Sequence, residues 1–158
     1  MKFLIIEDNR SKLNQIKTFL IQNYYDTSVH DALSYTAGLR RLYEEKWDFI
    51  LLDMSLPVYD ISQQETGGDK KSIAGKEIMK RMIHRKLIIP TIVITQFDTF
   101  GDNEISINIL NQEFSDNMSE VWRGTINYED STNQWQIELK KLLDKILREN
   151  SYDKSIDC

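Results

Sequence analysis

A single cysteine, Cys158, closes the chain and has no partner within it. No intrachain disulfide can form, and a reducing, cytoplasmic compartment is the expectation. Long hydrophobic runs are missing too: they stop at about five residues, far below the roughly 20 that a membrane span requires. The amino terminus enters a strand pattern at Phe3 with neither a long apolar core nor a small-residue cleavage site, so no signal peptide is expected. Basic charge is not in excess: 20 Lys and Arg stand against 25 Asp and Glu, for a net charge of −5. General affinity for nucleic acid, which needs a basic face, is therefore not expected. Repeats and linkers of domain-boundary quality are also lacking. What is present, 158 residues of which 41% are hydrophobic and 28% charged, suits one soluble domain able to bury a sizeable core.

The chain alternates strand and helix. Phe3–Ile6 reads as a first strand, followed by a helix capped by Asn9 or Ser11 with Leu13, Ile16 and Leu20 at helical spacing. A weak strand is expected around Thr27–Val29, and Asp31 as the cap of a helix running to Glu45. Phe49–Leu52 is a short apolar run of the kind buried on both faces of a parallel sheet, and Pro57 bars its continuation. Residues 58–74 read as a long polar loop containing Gly67-Gly68 and Lys70-Lys71. Gly75–Lys86 is a helix with Ile78, Met79, Met82 and Ile83 on one face, and Pro90–Thr95 the fourth strand, with its proline at the start. Ile105, Ile107 and Ile109 alternate like a strand, while Ile107, Leu110 and Phe114 suit a helix; the βα rhythm decides for a helix. Val121–Asn127 is the last strand, and Ser131 or Thr132 caps a final helix carrying Trp135, Leu139, Leu142, Leu143 and Ile146. Residues 151–158 are expected to form a flexible tail after a domain spanning 1–150. The rhythm implies an α/β fold: a five-stranded parallel sheet with helices on both faces and right-handed crossovers.

Such a sheet gathers chemistry at one edge. Glu7, Asp8, Asp53 and Thr95 all fall at C-terminal strand ends, where open α/β sheets place their sites. Two carboxylates 4 Å apart repel by roughly 4 kcal/mol at an effective dielectric of about 20. A hard divalent cation with oxygen ligands offsets that best, and Mg²⁺ needs only one or two carboxylates besides waters and a phosphate.

These residues carry a family resemblance. The pair Glu7-Asp8, the segment Leu52-Asp53-Met-Ser-Leu-Pro57, Gly75-Lys-Glu-Ile opening the third helix, and Pro90-Thr-Ile-Val-Ile-Thr95 stand in an ordered set. Over nearly its whole length the chain resembles the receiver domain of two-component response regulators. The resemblance implies a flavodoxin-like (βα)5 fold in which Asp53 takes a phosphoryl group from the phosphohistidine of a sensor histidine kinase or phosphotransfer protein. It implies Mg²⁺ bound by Glu7, Asp8, Asp53 and the backbone carbonyl of Ser55, with the Thr95 hydroxyl contacting the phosphoryl oxygen as a switch. It further implies a cytoplasmic phosphoprotein of signal transduction. This would be a free-standing receiver acting through a downstream protein, with pairing through the last strand and helices open to it, and with no nucleic-acid or membrane partner. Its chemistry would extend to self-phosphotransfer and slow autodephosphorylation, not classical enzymatic turnover.

Two departures qualify that reading. Receivers carry a lysine at the end of the fifth strand, whereas Thr125-Ile-Asn-Tyr-Glu-Asp130 has none, and Asn127 or Tyr128 takes its place. A charge-assisted contact is thereby lost, for which Lys70 or Lys71 in the 58–74 loop offers a substitute. The loop itself is longer than usual. A pseudo-receiver, keeping the fold as an interaction module without phosphorylation, is the alternative. A Mg²⁺-dependent small-molecule phosphatase is a weaker one, because those enzymes place an Asp-x-Asp on the first strand and this chain has Glu7-Asp8-Asn9. Gly75-Lys76 does not make a phosphate loop, since Lys70 and Glu77 stand where Gly and Ser or Thr are needed. His30 and His84 are isolated and read as surface residues.

Overall fold

A computed structural model of the protein describes residues 1–60 and 70–156, with Lys70 described by its backbone alone. Five strands and five long helices alternate in the described residues: β1 (Lys2–Ile6), α1 (Arg10–Asn23), β2 (Ser28–Ala32), α2 (Tyr35–Glu44), β3 (Phe49–Leu52), α3 (Ala74–His84), β4 (Thr91–Thr95), α4 (Ile107–Asn117), β5 (Trp122–Asn127) and α5 (Gln134–Ile156). The strands form one parallel sheet in the order β2-β1-β3-β4-β5. That is the doubly wound, flavodoxin-like order, whose switch point lies between β1 and β3.

The pleat sorts the apolar residues between two layers. Leu4, Ile6, Ile50, Leu52 and Val93 face α2, α3 and α4, packing with Leu42, Ile78, Met79, Met82, Leu110 and Phe114. Phe3, Ile5, Phe49, Leu51, Ile92, Ile94 and Ile126 face α1 and α5, packing with Leu13, Ile16, Phe19, Leu20, Trp135, Leu139, Leu143 and Ile146. Because β1, β3 and β4 are covered on both sides, their centres, Phe3–Ile6, Phe49–Leu52 and Ile92–Ile94, are unbroken apolar runs.

Several boundaries differ from expectation. Asp31 does not cap α2; it lies inside β2, paired in register with Ile5, and its carboxylate meets Lys17. Ser34 caps instead, its Oγ accepting the Ala37 N–H at 3.1 Å, a shift allowed because Asp-Ala-Leu-Ser offers two capping side chains. Asn9 caps α1, accepting the Lys12 N–H at 3.1 Å. The final helix starts at Gln134, beyond Ser131 and Thr132, and continues through Ile156, so residues 151–156 are helical where a tail was expected. Their side chains are exposed, and local bonds such as Ser151 Oγ to the Leu147 carbonyl at 2.9 Å support the backbone. Residues 157 and 158, with Cys158, lie outside the described residues.

The segment from 58 to 74 is only partly a loop. Leu56 pairs antiparallel with Lys71 and Pro57 with Lys70; β3 has already ended at Leu52, and Pro57 lies inside this separate two-residue ladder. Residues 61–69, including Gly67-Gly68, lie outside the described residues. After β4, Thr99–Phe100 pairs with Ile105–Ser106 before α4 begins; of the alternating isoleucines Ile105 lies in that short strand, while Ile107 and Ile109 lie in the expected helix.

Candidate functional site

Backbone hydrogen bonds carry the parallel ladder one residue past the strands and so place the acids. The Glu7 N–H donates to the Ala32 carbonyl and the Asp53 N–H to the Ile6 carbonyl, each at 3.0 Å. Carboxylate oxygens of Glu7, Asp8 and Asp53 lie within 4.8 Å of one another. Glu7 and Asp53 are buried, at 2% and 6% exposure, and Asp8 is half-buried. Asp53 Oδ1 accepts the Met54 N–H at 2.8 Å; Glu7 Oε1 accepts the Asn9 N–H at 3.0 Å.

The segment after Asp53 is held against α3. The Gly75 N–H donates to the Met54 carbonyl at 3.0 Å, and a Cβ on Gly75 would come within 2.8 Å of the Asp53 carbonyl oxygen. Glycine is thus required by the approach of the helix to the backbone of Asp53. Gly75→Ala is expected to lower stability by about 1–3 kcal/mol and to displace Asp53, which urea denaturation and Mg²⁺ titration would report; wild-type values for both would contradict the close approach.

Thr95 ends β4 in register with Asn127 of β5 and is buried. Its Oγ1 accepts the Phe97 N–H at 3.3 Å, and beside it lies a cavity of about 120 Å³ bordered by Phe97, Ile107, Asn111, Thr125 and Asn127. Asn127 is exposed at the strand end. Tyr128, whose N–H donates to the Thr95 carbonyl at 2.9 Å, turns inward: its ring packs on Trp135 at 5.1 Å and its hydroxyl donates to Gln15 at 2.8 Å. Lys71 does not reach the acids. It pairs with Glu77 at 2.6 Å and lies over the Tyr35 ring. The side chain of Lys70 lies outside the described residues.

The cation that does reach them is Lys12, which the motif comparison passes over. Only 1% exposed, it sits in the first turn of α1 with its Nζ 2.6 Å from Glu7 Oε2 and 3.6 Å from Asp53 Oδ1. It donates to the Ile94 carbonyl of β4 at 2.7 Å. The sequence held a signal for it: Lys12 precedes Ile16 by four residues and Leu20 by eight, which puts it on the apolar stripe of α1.

Even with that ammonium present, burial dominates the acids. The Glu7 carboxyl is pushed up to about 7, first by desolvation and then by the charge of Asp53, against the lowering pull of Lys12. Desolvation also raises Asp53 above the ordinary carboxylate range, opposed by Lys12 and the Met54 N–H. An all-oxygen set of one half-buried and two buried carboxylates, their oxygens within 4.8 Å of one another, fits a hard divalent cation such as Mg²⁺.

No family model matches the chain. It is 28% identical over 150 residues, 92% of this chain and 100% of the other, to the Detocs response regulatory protein DtcB of Enterobacter cloacae (strain JD6301). Among solved structures it is similar to a CheY-like response regulator receiver domain protein from Methanospirillum hungatei JF-1, with a TM-score of 0.63, 20% identity and coverage of 96% and 97% of the two chains. It is also similar to the response regulator TrrA of Thermotoga maritima, solved in complex with Mg²⁺-BeF, with a TM-score of 0.56, 15% identity and coverage of 89% and 97%.

Proposed function

We propose, starting from a chain with the receiver-domain fold of response regulators, that Asp53 is its phosphoacceptor, loaded from the phosphohistidine of a sensor histidine kinase or phosphotransfer protein. The observation that carries this reading is the meeting of Glu7, Asp8 and Asp53 within 4.8 Å at the C-terminal edge of the sheet. One Asp53 oxygen forms the new bond to phosphorus as the P–N bond of the donor breaks. The leaving nitrogen keeps that electron pair, and the ring departs as neutral imidazole when its other nitrogen carries a proton.

Glu7, Asp8, Asp53 and the Ser55 carbonyl would hold Mg²⁺. Bound there, the ion would neutralise phosphoryl charge and favour an in-line approach. The chain's own contribution is to orient Asp53 through the Met54 N–H and to exclude water by burial. The new charge and acceptor oxygens would draw the Thr95 hydroxyl from its contact with the Phe97 N–H. That movement would alter the cavity shared with α4 and β5. The output is binding to a downstream protein, in the cytoplasm.

Intact mass after incubation with Mg²⁺ and phosphoramidate tests this. The parent is expected to gain one phosphoryl group and Asp53→Asn none; a gain by both, or by neither, would sink the assignment of Asp53. One observation favours a second reading, the pseudo-receiver: the fifth strand ends in the exposed amide of Asn127 instead of a cation.

A further inference from the structure

We infer that Lys12 is the phosphoryl-contacting cation of this site, delivered from the first turn of α1 in place of a lysine on β5; the inference rests on Asp53 being the phosphoacceptor. Burial of this side chain is unfavourable on three counts. An ammonium loses its hydration in an apolar layer, it occupies a position on the helix stripe where packing alone favours a hydrocarbon, and it lies near the positive end of the α1 dipole. Each count argues against a packing residue. What holds it is the acid cluster: Glu7 at 2.6 Å, Asp53 at 3.6 Å, and the Ile94 carbonyl at 2.7 Å. The Tyr128 ring centroid, 5.6 Å away, closes the slot on the α5 side with its negatively charged face.

This geometry links the missing cation to its substitute. Tyr128, the residue just past the vacant lysine place, turns inward and lines the slot that Lys12 fills. Among the described side chains, two other lysines near this edge of the sheet are engaged elsewhere: Lys71 with Glu77 and Lys76 with Glu113, each at 2.6 Å. Among the described residues, Lys12 is the cation whose ion pair includes Asp53. A phosphoryl group on Asp53 would bring three strong acceptor oxygens within the reach of its flexible stem. Metal held by Glu7 and Asp8 would at the same time relieve the ammonium of neutralising Glu7. The contact to the Ile94 carbonyl anchors the same ammonium on β4, one residue before Thr95, so cation and switch hydroxyl respond to one event.

The experiment compares the parent with Lys12→Met, Lys12→Gln and the double variant Lys12→Met/Asn127→Lys. Phosphoryl gain from phosphoramidate with Mg²⁺ is read by intact mass, Mg²⁺ affinity by calorimetry, and folding by thermal melt. Loss of one charge-assisted contact predicts phosphorylation about tenfold slower in both single variants. Mg²⁺ is expected to bind them more tightly, because a competing positive charge has gone. Restoring a lysine at the β5 end is expected to recover the rate, which a purely structural role for Lys12 would not allow. Lys12→Gln guards against a folding defect in Lys12→Met, since its amide can still donate to Ile94. Single variants phosphorylated at the parental rate would overturn the inference while leaving Asp53 as acceptor. A parent that takes no phosphoryl group would overturn both, and the two failures are thereby distinct.

Discussion

Below pH 7, Mg²⁺ is expected to bind about tenfold more weakly for each unit of acidification, giving a loss of about a hundredfold by pH 5. The cause is Glu7, whose carboxyl in the metal-free protein is pushed up to about 7 by burial and by the charge of Asp53. Metal requires the ionised form, so below that pKa each bound ion must displace a proton. Asp8, Asp53 and Lys12 are the other charged groups of the cluster. Asp53 is also raised, chiefly by desolvation, and adds to the effect; the charge of Lys12 beside both acids opposes it. The sign for folding is opposite. A carboxyl with a raised folded pKa makes the folded state hold more protons than the unfolded one. Its stabilising contribution is therefore complete below the ordinary glutamate value of 4.5 and is lost as pH rises through about 7. Metal-free protein should then melt at a lower temperature at pH 8 than at pH 5.5, and Mg²⁺ should reverse the order. Calorimetric titration at several pH values checks the first claim; an affinity that does not change between pH 5 and 7 would refute it.

Replacement of Trp135 by alanine is expected to remove about 3–5 kcal/mol of stability, a large share of the roughly 5–15 kcal/mol that holds a typical domain. Trp135 is 1% exposed at the start of α5, edge-on to Phe19 of α1 at 5.7 Å and tilted against Tyr128 at 5.1 Å. It fixes both helices to their face of the sheet, and truncation leaves a cavity that neither ring can fill without moving. The damage should reach the acid cluster as well, because Tyr128 closes the slot of Lys12. Urea denaturation followed by circular dichroism would measure the loss, with Trp122→Phe as a milder comparison, since Trp122 is only half-buried. A change below about 1 kcal/mol would show that the helices are held by other contacts.

The legibility of this molecule follows its burial. Phe49–Leu52 and Thr91–Thr95 lie in the middle of the sheet, and every one of their residues is buried, so a continuous apolar run announces them. The edge strand Ser28–Ala32 has one buried residue, and its pattern is correspondingly faint, which is why Asp31 passes for a helix cap. Acids at strand ends are visible because topology alone brings them together. Lys12 is harder to see. A lysine on a helix ordinarily marks the solvated face, and only its phase relative to Ile16 and Leu20, combined with the acids it will meet, reveals a buried one. Contacts between residues far apart in sequence, such as Lys12 with Ile94, leave no local trace. The helical backbone of residues 151–156 is likewise invisible to an argument from burial, since no apolar face there requires it.

The short ladder of Leu56–Pro57 with Lys70–Lys71 brings the two flanks of the intervening segment together at one point. Closing a segment whose ends are already pinned depends only weakly on its length: each doubling adds about 0.6 kcal/mol of closure entropy. The number of residues between the two halves of the ladder is therefore nearly neutral for the fold, while Asp53 on one side and Gly75 on the other stay in register. This is the point at which the protein can be lengthened, shortened or fused to another domain while the sheet stays unchanged.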